Sequence, residues 1–183
     1  MIRKARTEDR YAIAELCYII WKDMELDMVA QVEKSRLLEV FADSVTKIRY
    51  RGHKDHIWVY EYEGNVAGIL IAYPGQYEMA FERTWQELDL PEDIAAFGTP
   101  LPTKEAEDDE YYIETVATFP QYRGKGIATQ LFEHVMASDT SALWSLNCDV
   151  ANPRAYALYQ RLGFETVSMK TLYGHEYYHM VKR

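Results

Sequence analysis

Apolar and polar positions along the chain fall into two periods, and the periods divide it into elements. Ile2–Ala5 reads as a short opening strand. Ile13, Leu16, Cys17 and Ile20 recur at spacings of three and four. They predict a helix over about 9–22, with Thr7 as its N-cap. Leu37, Leu38 and Val40 mark a second helix over about 32–41. His56–Glu63 and Val66–Tyr73 are β-branched and aromatic, and Gly64-Asn65 between them is turn chemistry, so they predict a hairpin. Residues 74–109 are acidic and irregular, with a short helix expected near 82–88 and a loop after it. A strand over Tyr111–Thr118, a helix over about 124–138 and a strand over Leu143–Asp149 follow. A helix over 152–162 is stopped by Gly163. Strands at Val167–Thr171 and Glu176–Val181 close the pattern around Tyr173-Gly174. Strands and helices in this order predict an α/β (α+β) fold, a mixed sheet covered by helices.

Length and composition narrow the picture. The chain has 183 residues, which suits one domain over 1–183. The net charge of −9 disfavours nucleic acid and anionic membranes as partners and favours cationic small molecules. No stretch approaches the roughly 20 apolar residues that cross a bilayer, and no signal-peptide pattern follows Met1. With only 2 cysteines, Cys17 and Cys148, a cytoplasmic setting with free thiols is expected. The histidines show no metal-ligand spacing with the cysteines, so no metal is expected.

The segment 116–132 carries the most specific chemistry. A β-rich run ends in a short loop, and a helix begins among Arg123, Gly124, Lys125 and Gly126. Unpaired amides at a helix start, with the positive end of the helix dipole behind them, bind phosphate. The glycines let backbone approach an anion closely, and Arg123 and Lys125 add local positive charge. Neither the P-loop nor the dinucleotide fingerprint can be laid over this segment. A plain glycine-rich helix start remains open on the loop alone.

Downstream residues remove that ambiguity. Arg123-Gly-Lys-Gly126-Ile-Ala128 is followed by Asn152-Pro-Arg-Ala155-Tyr-Ala-Leu-Tyr159 and then Gly163-Phe164. Together these elements resemble the GCN5-related N-acetyltransferase (GNAT) family, clearly over about residues 110–164. The resemblance implies a twisted sheet of about seven strands with helices on both faces. It also implies neighbouring parallel strands, here Tyr111–Thr118 and Leu143–Asp149, that splay to admit acyl-CoA. Acetyl-CoA is the cofactor implied. Backbone groups of Val116, Ala117 and Thr118 would pair with its pantetheine arm. Amides of Arg123, Gly124, Lys125, Gly126, Ile127, Ala128 and Thr129 would hold the pyrophosphate. Asn152 and Ala155 would border the pantetheine, with Asn152 equally suited to capping its helix, and Arg154 would reach the nucleotide end or stand in solvent.

Two catalytic roles are implied. Tyr159 is the expected general acid for the leaving thiolate. A phenol is a weaker acid than a thiol, so hydrogen bonding to the sulfur matters as much as full proton transfer. Glu114 is the candidate base, matching a glutamate of the diamine branch. Strand alternation would put it on one face with Tyr112 and Val116. Histone-type relatives carry their base where this chain has Tyr112, and the ribosomal-protein N-terminal branch carries one where it has Asn147. Neither base transfers, so a small cationic amine is favoured as acceptor. Protein lysine or N-terminal acetylation and a non-catalytic acyl-CoA-sensing module are the alternatives. The acidic run Glu105–Glu110 reads as a solvated loop or a steering patch. Cys148 reads as a buried small hydrophobe. Tyr173, Tyr177, Tyr178 and Met180 suit either a homodimer interface or the core.

Overall fold

A computed structural model describes residues 1–183. Strand β1 (Ile2–Lys4) leads through a 3-10 turn into helix α1 (Arg10–Asp23). Thr7 does not cap that helix. Asp9 does the local work instead, accepting from the Arg6 amide at 2.7 Å while Arg3 grips its carboxylate. The expected helix over 32–41 is displaced and divided into α2 (Asp27–Gln31) and α3 (Lys34–Thr46).

Strands β2 (Ile57–Tyr62) and β3 (Asn65–Pro74) form the predicted hairpin. Its turn is Glu63-Gly64, both at positive φ, rather than Gly64-Asn65. The stretch 74–109 is more helical than its sequence suggests, with α4 (Glu78–Arg83), a 3-10 turn at Thr84–Glu87 and α5 (Glu92–Ala95). Strand β4 (Tyr111–Thr118), helix α6 (Ile127–Met136), strand β5 (Trp144–Asp149) and helix α7 (Pro153–Arg161) follow, and β6 (Glu165–Leu172) and β7 (His175–Lys182) end the chain.

The sheet has seven strands in the order β1-β2-β3-β4-β5-β7-β6. Only β4 and β5 run parallel. Both faces are covered, which explains why β3 reads as a continuous apolar run. Ile69 and Ile71 pack towards α1 with Ile13 and Leu16, while Leu70 and Ala72 pack towards α6 with Leu131 and Val135. A further cluster joins α1, α3 and the 74–109 excursion through Trp21, Phe41 and Trp85.

β7 lies between β5 and β6, and Met180 and Tyr177 are buried there. Tyr177 and Met180 thus contribute to packing within the chain, while Tyr173 and Tyr178 remain partly exposed. The exposed apolar side chains of this region are Val167 and Met169 on the edge strand β6.

Candidate active site

β4 and β5 pair only at Tyr111–Trp144 and Tyr112–Ser145. Beyond those pairs the strands separate, and the peptide groups of β4 facing β5 have no ladder partner. The opening forms where the resemblance places it. Its two flanks differ in charge.

On one flank lies a cavity of about 490 Å³ bordered by Val116, Ala117, Thr118, the 123–129 turn and α7. Gly124 and Gly126 both adopt positive φ, which glycine accepts without strain. Gly126 is the N-cap of α6, so the helix starts later than position 124. The first intrahelical bond runs from the Gln130 amide to the Gly126 carbonyl, leaving the amides of Ile127, Ala128 and Thr129 without a helical acceptor. Arg123 closes the loop by donating to the Thr118 carbonyl at 3.2 Å. Arg154 and Arg161 line the same cavity, whereas the Lys125 ammonium lies over the Tyr62 ring at 4.3 Å. The side chain of Lys125 thus turns aside, and its contribution to this flank is its backbone.

On the other flank lies a cavity of about 380 Å³. Asp23, Glu105, Glu114 and Asp149 contribute to its wall, with Trp21, Tyr112, Tyr173 and Tyr177, and no Lys, Arg or His does. Ile20, Asp23, Val116, Asn152, Ala155 and Tyr159 border both cavities.

Asn152 caps α7, accepting from the Ala155 amide at 3.0 Å, with Pro153 fixing the first helical turn. Tyr159 is held by edge contacts to Phe132 at 5.5 Å and Phe164 at 6.3 Å. Burial, and then the neighbouring Cys148 thiol, push its phenol well above the usual range. Burial first, and Asp149 second, push the Cys148 thiol to about 11. It is a thiol at neutral pH and a poor nucleophile.

Glu114 departs from expectation. Tyr112 and Ile113 pair with Tyr73 and Ala72, but Thr115 and Val116 pair with Ile71 and Leu70. Glu114 is the extra residue of a β-bulge, and the bulge reverses the alternation. Tyr112 therefore packs with the α1 face and Val116 with the α6 face, and the three residues do not share one face. Glu114 as a whole is partly exposed to the cavity. Its Oε2 is buried without a hydrogen-bond partner. Burial pushes its carboxyl up to about 8, with Arg51 opposing and Glu105 adding to the rise.

The acidic run is not a solvated loop. Glu105 and Glu110 are buried, and only 107–109 stand in solvent. Glu105 accepts from Tyr112 at 2.6 Å and Tyr173 at 3.0 Å. Tyr173 adopts positive φ, a strained state for a tyrosine, and its hydroxyl contact fixes it there.

Beneath the cavity sits Arg51, fully buried, which no sequence pattern singles out. Its Nε lies 2.7 Å from Glu82, and its Nη1 lies 3.4 Å from Glu105 and 3.6 Å from Glu78. Glu78 accepts from the amides of Glu105 and Ala106, and Glu82 from that of Leu101. α4 thus ties down the strap that carries Glu105 into the wall. Gly75 permits the crossing, since a Cβ there would collide with the Glu107 carbonyl. No group of metal-ligating side chains is present, and no helix is long and apolar enough to cross a membrane.

Fold and cleft define an acetyltransferase. Residues 13–164 match the acetyltransferase (GNAT) family. The chain belongs to that family and is an N-acetyltransferase. It is similar over 100% of both chains to an N-acetyltransferase from Staphylococcus aureus Mu50, at 49% identity and a TM-score of 0.98. A second solved acetyltransferase is 31% identical, with a TM-score of 0.84 over 100% of this chain and 98% of that one. The Salmonella typhimurium protein yncA, solved with acetyl-CoA, shares the fold at 17% identity and a TM-score of 0.58, over 100% of this chain and 92% of its own. A Mycobacterium leprae (strain TN) protein is 33% identical over 64 residues, which is 35% of this chain and 18% of that protein's length.

Proposed function

We propose that this acetyltransferase moves an acetyl group from acetyl-CoA to the primary amine of a small cationic molecule, by direct attack in a ternary complex. The observation that carries this reading is the division of charge along one cleft. Arg123, Arg154 and Arg161 stand on the flank with the free helix amides, Glu105, Glu114 and Asp149 stand on the other, and Asp23 lies at the boundary between them. The basic flank fits a polyanionic cofactor, and the acidic, aromatic flank fits an ammonium. The likeness to the acetyl-CoA-bound Salmonella protein supports the first half.

When bound, acetyl-CoA supplies an activated acyl thioester. The amides of Arg123–Thr129 would hold its pyrophosphate, and Val116, Ala117 and Thr118 would pair with its pantetheine along the open edge of β4. Asn152 and Ala155 would border that arm. Tyr159, shared by both cavities, donates its hydroxyl hydrogen to the departing sulfur. Glu114 takes a proton from the acceptor side. Tyr112 and Asn147, where other branches carry a glutamate, hydrogen-bond each other at 3.2 Å and put no carboxylate at either position, which favours a small amine over a protein substrate.

The test is free-CoA release from acetyl-CoA across polyamines, aminoglycosides, amino acids and lysine peptides. Turnover confined to small cationic amines is expected. Preference for lysine peptides would overturn the small-amine reading, and acetyl-CoA binding without any turnover would favour a sensing module.

A pH profile tests Glu114. Its raised pKa means that it carries a proton below about 8 and accepts one above it. kcat/KM for the amine should therefore rise with pH through about 8. Glu114→Gln should leave only the limb set by the amine's own ionisation. An unchanged profile in the variant would remove Glu114 from the proton path.

A further inference from the structure

We propose that Tyr112 and Glu105 form a proton relay that deprotonates the acceptor amine, a route separate from Glu114. The inference rests on the acetyl-transfer reading and adds residues to it.

Both side chains line the acidic cavity. The Tyr112 hydroxyl donates to Glu105 Oε2 at 2.6 Å, a short, charge-assisted bond. The Tyr112 hydroxyl oxygen in turn accepts from Asn147 Nδ2 at 3.2 Å. Asn147 Nδ2 is shared between that hydroxyl and the Glu105 carbonyl, each at 3.2 Å, so an ammonium in the cavity is a stronger donor that can displace it from the hydroxyl. Glu105 is arranged as an acceptor throughout, taking Tyr112 on Oε2 and Tyr173 and Arg51 on Oε1.

The relay is also held in orientation. Asn147 Nδ2 faces the Glu105 carbonyl at 3.2 Å, an obligate acceptor, so its amide oxygen faces His179. His179 Nδ1, 2.7 Å from that oxygen, therefore carries hydrogen. The other ring nitrogen lies 2.8 Å from Glu110. Despite burial, hydrogen bonds from His179 and the Glu107 amide hold the Glu110 carboxyl down to about 2. Glu110, His179 and Asn147 are positioning residues, and Tyr112 and Glu105 move the proton.

The step balances. An N–H proton of the substrate ammonium passes to Tyr112 Oη as the Tyr112 proton passes to Glu105 Oε2. The freed nitrogen lone pair attacks the thioester carbonyl. As the C–N bond forms and the C–S bond breaks, the sulfur takes the Tyr159 proton and the second N–H proton passes to solvent. Tyr159 is reprotonated from solvent, and the proton on Glu105 returns through Tyr112 to solvent when product leaves. Such a route supplies a proton acceptor at neutral pH, where Glu114 already holds its proton.

The test compares Tyr112→Phe and Glu105→Gln with the unaltered enzyme at pH 7. Two acceptors are used, the best alkylamine and its aminooxy analogue, which is already unprotonated at that pH. Loss of about 30-fold or more in kcat is expected with the alkylamine, and less than about threefold with the aminooxy compound. The KM for acetyl-CoA should not change. Equal losses with both acceptors would mean that Tyr112 only shapes the wall, and no loss would remove the relay. Thermal unfolding shows whether each variant is folded. If one is not, the other decides. An unaltered enzyme that acetylates no amine would overturn the acetyl-transfer reading itself.

Discussion

Tyr159→Phe is expected to lower kcat by roughly 10- to 1,000-fold while leaving acetyl-CoA affinity and stability nearly unchanged. The ring contacts with Phe132 and Phe164 survive the substitution, so packing is retained. What disappears is one hydroxyl at the junction of the two cavities. Its raised pKa sets the form of its contribution. A phenol pushed up by burial does not release its proton to a thiolate in the ground state. It acts by hydrogen-bonding the sulfur as negative charge gathers there, an interaction present in the transition state and absent before it. Such an interaction raises kcat without tightening the cofactor. Stopped-flow kinetics with isothermal titration of CoA separates the two quantities. Turnover equal to the unaltered enzyme would remove Tyr159 from the reaction. A parallel loss of CoA affinity would make it a binding residue.

The glycine-rich, basic flank of the cleft was legible in the sequence because its residues lie in contiguous motifs. Gly124 and Gly126 carry the backbone geometry, and Asn152, Ala155 and Tyr159 fall on successive turns of one helix whose cap and stop are both encoded locally. The β4 span and the order of the elements were likewise readable, since β-branched runs and glycine stops are local signals.

The acidic flank was not legible, for specific reasons. The bulge at Glu114 adds one residue to a strand, which inverts every side-chain direction inferred beyond it. Arg51, Glu82 and Glu105 meet across more than 50 residues of sequence without a spacing rule. Glu105 carried a trace of signal as the first residue of an acidic run. Its burial depends on Tyr112 and Tyr173, which hydrogen-bond it from two separate strand ends. The apolar residues of β7 were ambiguous from composition alone. They suit an interface or the core equally, and the crossing of β7 between β5 and β6 buries Tyr177 and Met180.

The buried Arg51 cluster yields the largest expected effect on stability. Arg51→Met should destabilise the fold by about 3–5 kcal/mol, because it strands carboxylates that have no access to water. Arg51, Glu78 and Glu82 are at most 1% exposed. Backbone amides satisfy part of the Glu78 and Glu82 carboxylates but supply no compensating full charge. Arg51 also donates to the Leu101 carbonyl at 3.1 Å, a bond that Met cannot replace. The sign of the pH dependence follows from Glu78, whose carboxyl is already raised by burial even with Arg51 opposing the shift. A carboxyl with a raised folded pKa costs stability when ionised. Removing the cation raises it further, so the defect is full at neutral pH and shrinks on acidification. Adding Glu82→Met to Arg51→Met should recover part of the loss, since an apolar replacement for a buried pair is tolerated better than half of it. Urea denaturation at pH 7 and pH 5 measures all of this. A loss below about 1 kcal/mol at pH 7 would show that solvent or rearrangement neutralises the carboxylates. The strap from Leu101 to Ala106 hangs on the same cluster, so the surviving folded enzyme should lose acceptor turnover while its CoA affinity holds. That separation is expected because the cluster underlies only the acidic flank of the cleft.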